Sequence, residues 1–169
     1  TYPHNAYPFR QSSHFLYYVG TDAADLAVLI RPDGKEVFYG PADDPEGIIW
    51  TGPAPTLGDL ADAAGVAQAS NWETLQGDLN QLRKDGHVIH YTLPIRGEQT
   101  LALCDVLSLG PKQVLQGVSK AMSRAVVQQR SIKTEAEVAE IEAALRITAE
   151  MYQAAFRTVR PGVKESVVA

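Results

Sequence analysis

The sequence predicts an α/β fold, with a mixed sheet flanked by helices over about residues 1–127. Short apolar runs of strand length are bounded by Gly, Pro and Asp, which is typical of strands. Stretches with helix-capping residues lie between these runs, and strands that alternate with helices indicate an α/β domain. A length of 169 residues with 45% hydrophobic residues suits one domain with a core and an appended piece.

The first elements are predicted to be strands. A continuous apolar and aromatic run at residues 15–19 ends at Gly20, which favours a buried strand. Two further apolar runs, at residues 26–30 and 37–39, are joined by a Pro-Asp-Gly turn at 32–34. Because proline presets φ and glycine accepts positive φ, these two runs predict a β-hairpin.

A loop and a short helix follow. Residues 43–55 are rich in Pro, Gly and Asp and predict a loop that contains a short apolar insert. Thr56 is the predicted N-cap of a helix that ends at Gly65.

A second helix and a third strand come next. Ser70 and Glu73 form the spacing of a capping box, which predicts a helix to about residue 85 that Gly86 ends. Residues 87–91 then predict a strand. Further on, helices are predicted at 99–109 and 112–127, and the polar stretch 128–133 is the predicted linker and domain boundary.

The last predicted element is a helix of about 25 residues. Thr134 and Glu137 form a capping box at its start, and an Arg-Pro-Gly turn at 160–162 ends it. Its apolar positions recur at spacings of three and four, which indicates one amphipathic face. These positions are Val138, Ile141, Leu145, Thr148, Tyr152, Ala155 and Val159.

Composition excludes several classes of function. The net charge of −5 comes from 15 scattered basic and 20 acidic residues, so we expect no nucleic-acid partner. The single Cys104 excludes an internal disulfide and a thiolate-rich zinc site. No apolar run reaches the roughly 18–20 residues of a membrane span. We therefore expect no membrane partner and a cytoplasmic protein.

Four stretches, taken in order, resemble the creatinase, prolidase and aminopeptidase P family. They are YPFRQSSHFLYYVG (7–20), EGIIWTG (46–52), RSIKTEAEVAEIEAALRIT (130–148) and RPGVKE (160–165). The first two stretches are most similar to the aminopeptidase P branch. The chain departs from the family pattern where only six residues precede Tyr7, where Lys164 replaces a usual Thr, and where Pro53 replaces a frequent Arg.

The resemblance implies the N-terminal domain of a Xaa-Pro aminopeptidase over 1–127, then the first helix and turn of a truncated pita-bread domain over 134–169. In the family that domain binds two divalent metals, expected here to be manganese, through ligands beyond residue 165. We therefore expect no metal ligand in this chain and no activity from it alone. The parent is expected to be a homo-oligomer that acts on peptides with proline at the second position. Alternatives are a prolidase, or a non-catalytic peptide- or histone-binding module of the same fold.

Trp50 is the candidate site residue. It lies in the Pro- and Gly-rich loop, and the resemblance implies that it helps to close the substrate pocket of a neighbouring subunit. The alternative is that Trp50 folds back onto its own domain, and the sequence leaves the two open. Arg10 is a second candidate, expected to pair with a carboxylate and to serve structure.

Other chemistry-bearing residues favour structural roles. His87 and His90 lie on a predicted strand, where a spacing of three puts them on opposite faces rather than around a metal. His4 and His14 are expected at the surface or in structural hydrogen bonds. Cys104, inside an apolar helical run, is expected to be an inert core thiol.

Overall fold

A computed structural model describes residues 9–42, 49 and 52–168 of the chain. By packing, the chain divides into two compact units. The first ends at Val118 and the second begins at Ser119.

A three-stranded mixed sheet forms the centre of the first unit; the sequence predicts the mixed sheet, but not its third strand at residues 69–71. Its strands are β1 (Ala27–Ile30), β2 (Glu36–Gly40) and β3 (Ala69–Asn71), in the order β1-β2-β3. β1 and β2 are antiparallel and β2 and β3 are parallel. The predicted hairpin is confirmed: the amide of Arg31 donates to the carbonyl of Lys35 at 2.9 Å across the Pro-Asp-Gly turn.

Helices cover both faces of β2. Because side chains alternate along a strand, Phe38 faces one side and Val37 and Tyr39 face the other. Phe38 packs with Leu57, Ala61 and Val66, and we call this group the Phe38 cluster. On the opposite face of the sheet, Val37 and Tyr39 pack against other helices, and we call this group the Tyr39 cluster. The helices whose bounds lie within the described residues of this unit are α1 (Ser13–Val19), α2 (Leu57–Ala63), α3 (Trp72–Lys84), α4 (Gly97–Leu107) and α5 (Pro111–Gln116).

The strand predicted at residues 15–19 is wrong, because this run forms α1. Phe15 and Val19, four residues apart, pack together against the Phe38 cluster, while Tyr17 and Tyr18 between them are exposed. Gly20 ends the helix with a φ of 74°, and its amide donates to the carbonyl of Leu16 at 3.0 Å. A short continuous apolar run is compatible with either structure, and here the packing of one helical face decides.

The strand predicted at residues 87–91 is also wrong. This segment pairs with no strand among the described residues, although Ile89 and Tyr91 pack against the Tyr39 cluster. The tyrosine is fixed by a hydrogen bond from its hydroxyl to the carbonyl of Val114 at 2.9 Å. Gly86, the predicted helix end, follows α3 closely with a φ of 87°.

The capping box predicted at the start of α3 does not form. Ser70 belongs to β3, and its hydroxyl lies 2.7 Å from that of Thr74. Asn71 occupies the N-cap position instead, without a side-chain capping bond. Because Ser70 pairs with β2, it precedes the N-cap by one residue, and its hydroxyl meets the side chain of Thr74 rather than a helix amide.

The second unit contains α6 (Lys120–Ser131), α7 (Glu135–Thr158) and α8 (Glu165–Val168). The helix predicted at 112–127 is in fact two helices, since Ser119 starts a new one by accepting a hydrogen bond from the amide of Met122 at 3.1 Å. Residues 128–131, predicted to belong to the linker, form the last turn of α6. The packing separates the two units before that linker, after Val118.

Helix α7 confirms the predicted long helix and its capping box. The hydroxyl of Thr134 accepts from the amide of Glu137 at 3.2 Å, and the carboxylate of Glu137 accepts from the amide of Thr134 at 2.8 Å. The helix runs for 24 residues and buries none of them. Among the residues that the structure describes, no helix has both the length and the apolar content needed to cross a membrane.

Candidate functional site

The predicted site residue, Trp50, lies outside the described residues, as does His4. Its neighbour Ile49 is described and is 82% exposed. Beyond it, Pro53 and Pro55 are exposed as well. Whether Trp50 reaches a neighbouring subunit or folds back onto its own domain therefore stays a prediction.

On the N-terminal side of Trp50, the sheet ends at Gly40, the buried last residue of β2. A Cβ atom at Gly40 would lie 2.6 Å from Cδ1 of Leu57 and 2.9 Å from Cδ2 of Leu26. A larger residue would push these leucines apart, so glycine permits the start of α2 to lie against the end of β2. Gly40 and the start of α2 are therefore held close together.

The other end of the loop is fixed by a capping box at α2. The amide of Asp59 donates to the hydroxyl of Thr56 at 3.1 Å, and the amide of Thr56 donates to the carboxylate of Asp59 at 2.9 Å. Hydrogen bonds from the side chain and then the backbone of Thr56 lower the pKa of Asp59, so its carboxylate stays ionised at neutral pH. The N-cap predicted at Thr56 is confirmed.

A largely apolar cleft of about 540 Å³ opens beside the start of this loop. Its described lining residues are Asp25, Pro41, Trp72, Glu73, Gln76, Ala102, Asp105 and Val106. The cleft combines apolar surface with the acidic residues Asp25, Glu73 and Asp105, a lining that suits binding or packing.

Trp72 is the large side chain of this cleft, and the sequence reasoning missed it. Its indole nitrogen donates to the carbonyl of Asp25 at 2.7 Å, and Asp25 adopts a positive φ of 56°. Trp72 also packs against the Tyr39 cluster. The sequence signal that could have identified Trp72 is its position in the first turn of an amphipathic helix.

The opening segment is held by Gln11 rather than by Arg10. The side-chain amide of Gln11 donates to the carbonyl of Ala23 at 2.7 Å and accepts from the amide of Ser12 at 2.7 Å. Arg10 is exposed and forms no ion pair with a carboxylate of the described residues, so its predicted pairing is not found there.

The remaining titratable residues do not converge. His14, His87 and His90 are exposed, and Cys104 is partly buried in α4. Within residues 9–42, 49 and 52–168, no three or more His, Cys, Asp or Glu side chains come together as a metal site would require. The described residues therefore do not fit a two-metal centre.

Comparison with known sequences gives one family match, "Aminopeptidase P, N-terminal domain", over residues 1–90. A probable Xaa-Pro aminopeptidase of Aspergillus clavatus is 36% identical over 76 residues, which are 44% of this chain and 15% of that protein. A probable Xaa-Pro aminopeptidase of Coccidioides posadasii is 46% identical over 48 residues, or 28% of this chain and 10% of that protein.

Comparison with solved structures extends the likeness along the chain. The low-pH form of aminopeptidase P from E. coli matches 96% of this chain with a TM-score of 0.74 and 24% identity. The zinc-substituted E. coli enzyme in complex with product matches 99%, with a TM-score of 0.76 and 24% identity. At this identity the likeness shows the fold. The chain spans 39% and 40% of those two solved chains.

Proposed function

The chain belongs to the family of aminopeptidase P N-terminal domains, and from this membership we propose that it is the non-catalytic part of a metal-dependent Xaa-Pro aminopeptidase. The observation that supports this most is the family match over residues 1–90, joined to a likeness in fold over nearly the whole chain. The parent enzyme is proposed to be cytoplasmic and to remove an N-terminal residue that precedes proline.

The hydrolytic site is proposed to lie in polypeptide outside this chain. One observation supports this placement: the chain spans about two fifths of the solved enzymes it resembles. The parent would hold two divalent metal ions, manganese in our proposal. No residue of this chain is assigned to them.

Within the parent, the work of this domain is proposed to be oligomerisation and control of access to the substrate pocket. The described residues on either side of Trp50 support this role, because Gly40 and Thr56 are held by packing and by hydrogen bonds, while Ile49 is 82% exposed. Substrates would then be short peptides with a free N-terminus.

An activity assay tests the enzyme proposal. The full-length parent, loaded with manganese, is expected to cleave a tripeptide with proline at the second position, to leave the alanine analogue intact, and to lose activity with a chelator. The 169-residue chain is expected to show no turnover under the same conditions. Turnover by the 169-residue chain that the chelator abolishes would refute the placement of the site.

The same assay separates the alternatives. Cleavage restricted to Xaa-Pro dipeptides would identify a prolidase instead. A parent that cleaves neither the proline-containing tripeptide nor Xaa-Pro dipeptides, yet binds basic peptides in a titration, would be a binding module.

The role of Trp50 is tested by Trp50→Ala in the full-length parent. If its side chain closes a neighbour's pocket, kcat/KM falls while the melting temperature stays nearly unchanged. Trp72→Ala is the matched control: it removes a side chain that packs in its own domain, so we expect a clear loss of stability, smaller than the roughly 3–5 kcal/mol of a fully buried tryptophan because Trp72 is only partly buried. If Trp50→Ala lowers stability as Trp72→Ala does and leaves kcat/KM intact, the access role is wrong.

A further inference from the structure

We draw no further inference here: the strongest candidate, the apolar groove between β1 and residues 89–91, borders a strand edge that has no second partner strand among the described residues, and nothing in the structure shows what covers it.

Discussion

Helices α3 and α7 present the same kind of amphipathic pattern with opposite outcomes. In α3, Leu75 and Leu79 are buried against the sheet and join the Tyr39 cluster. In α7, the apolar positions Ile141, Leu145 and Tyr152 are 45%, 59% and 55% exposed. A helix gains most of its stability in proteins from the partner that its apolar face contacts. The difference in burial therefore depends on whether a partner contacts the apolar face, and not on the sequence pattern of the helix itself.

This comparison separates a part of the chain that contains its own core from a part that does not. The first unit buries apolar residues on both faces of β2, whereas no residue of α7 is buried and most of its apolar positions are exposed. Extended exposed apolar surfaces are typical of interfaces. Under the proposed function, the rest of the parent protein covers this face.

The largest expected difference in stability is between two phenylalanine-to-alanine variants, one in the first unit and one in α7. Phe38→Ala should lower the free energy of unfolding by about 3–5 kcal/mol, because the ring of Phe38 is fully buried between β2 and α2. Phe156→Ala in α7, where the ring is 75% exposed, should change it by less than about 0.5 kcal/mol. Urea unfolding of the two variants measures both values. Equal losses would mean that α7 packs in a core of its own.

A smaller effect is expected at the two capping boxes. Thr56→Ala and Thr134→Ala each remove a hydroxyl that accepts from a helix amide, at α2 and α7 respectively. We expect Thr56→Ala to lower global stability by about 1 kcal/mol, since α2 is part of the core. Thr134→Ala should reduce helical circular dichroism and leave the unfolding midpoint of the first unit unchanged. A shift of that midpoint by Thr134→Ala would contradict the separation of the two regions.

The smallest effect appears only in alkaline solution and concerns Tyr39. Burial, and then the hydrogen bond from its hydroxyl to Asp78 at 2.5 Å, raise the pKa of Tyr39 above that of the unfolded chain, about 10. Folding thus favours the protonated form. This contribution to stability is fully present below about pH 10 and is lost as the pH rises through the folded-state pKa.

Urea midpoints between pH 8 and pH 11 check this expectation. The midpoint of the wild-type chain should fall above pH 10, and Tyr39→Phe should make the fall shallower. Tyr152→Phe, on the exposed face of α7, is the control and should behave like wild type. An equal fall in the wild type and in Tyr39→Phe would exclude Tyr39 as its source.

The sequence predicted best those elements that local signals define. The turn at residues 32–34, the N-cap at Thr56 and the capping box of α7 rest on residues within a few positions of one another, and all three form, whereas the capping box predicted from Ser70 and Glu73 does not. The α/β class and the mixed sheet follow from the same signals, and the match to known aminopeptidase P structures supports them.

Long-range packing decided the elements that the sequence mispredicted. The run at 15–19 and the segment at 87–91 are both short and apolar, and nothing local distinguishes a helix, a strand or an extended segment there. The placement of the Trp72 side chain depends on a hydrogen bond from its indole nitrogen to the carbonyl of Asp25, 47 residues away in sequence. Trp50 was singled out by a resemblance, and its role needs the parent enzyme to be tested.

Hydrogen exchange of the chain in its two contexts tests the central claim most directly. In the 169-residue chain, the amides of β2 should exchange slowly and those of α7 quickly, because only β2 lies in a core. In the full-length parent, α7 should become protected by orders of magnitude while β2 changes little. Strong protection of α7 in the 169-residue chain as a monomer, equal to that in the parent, would contradict the account.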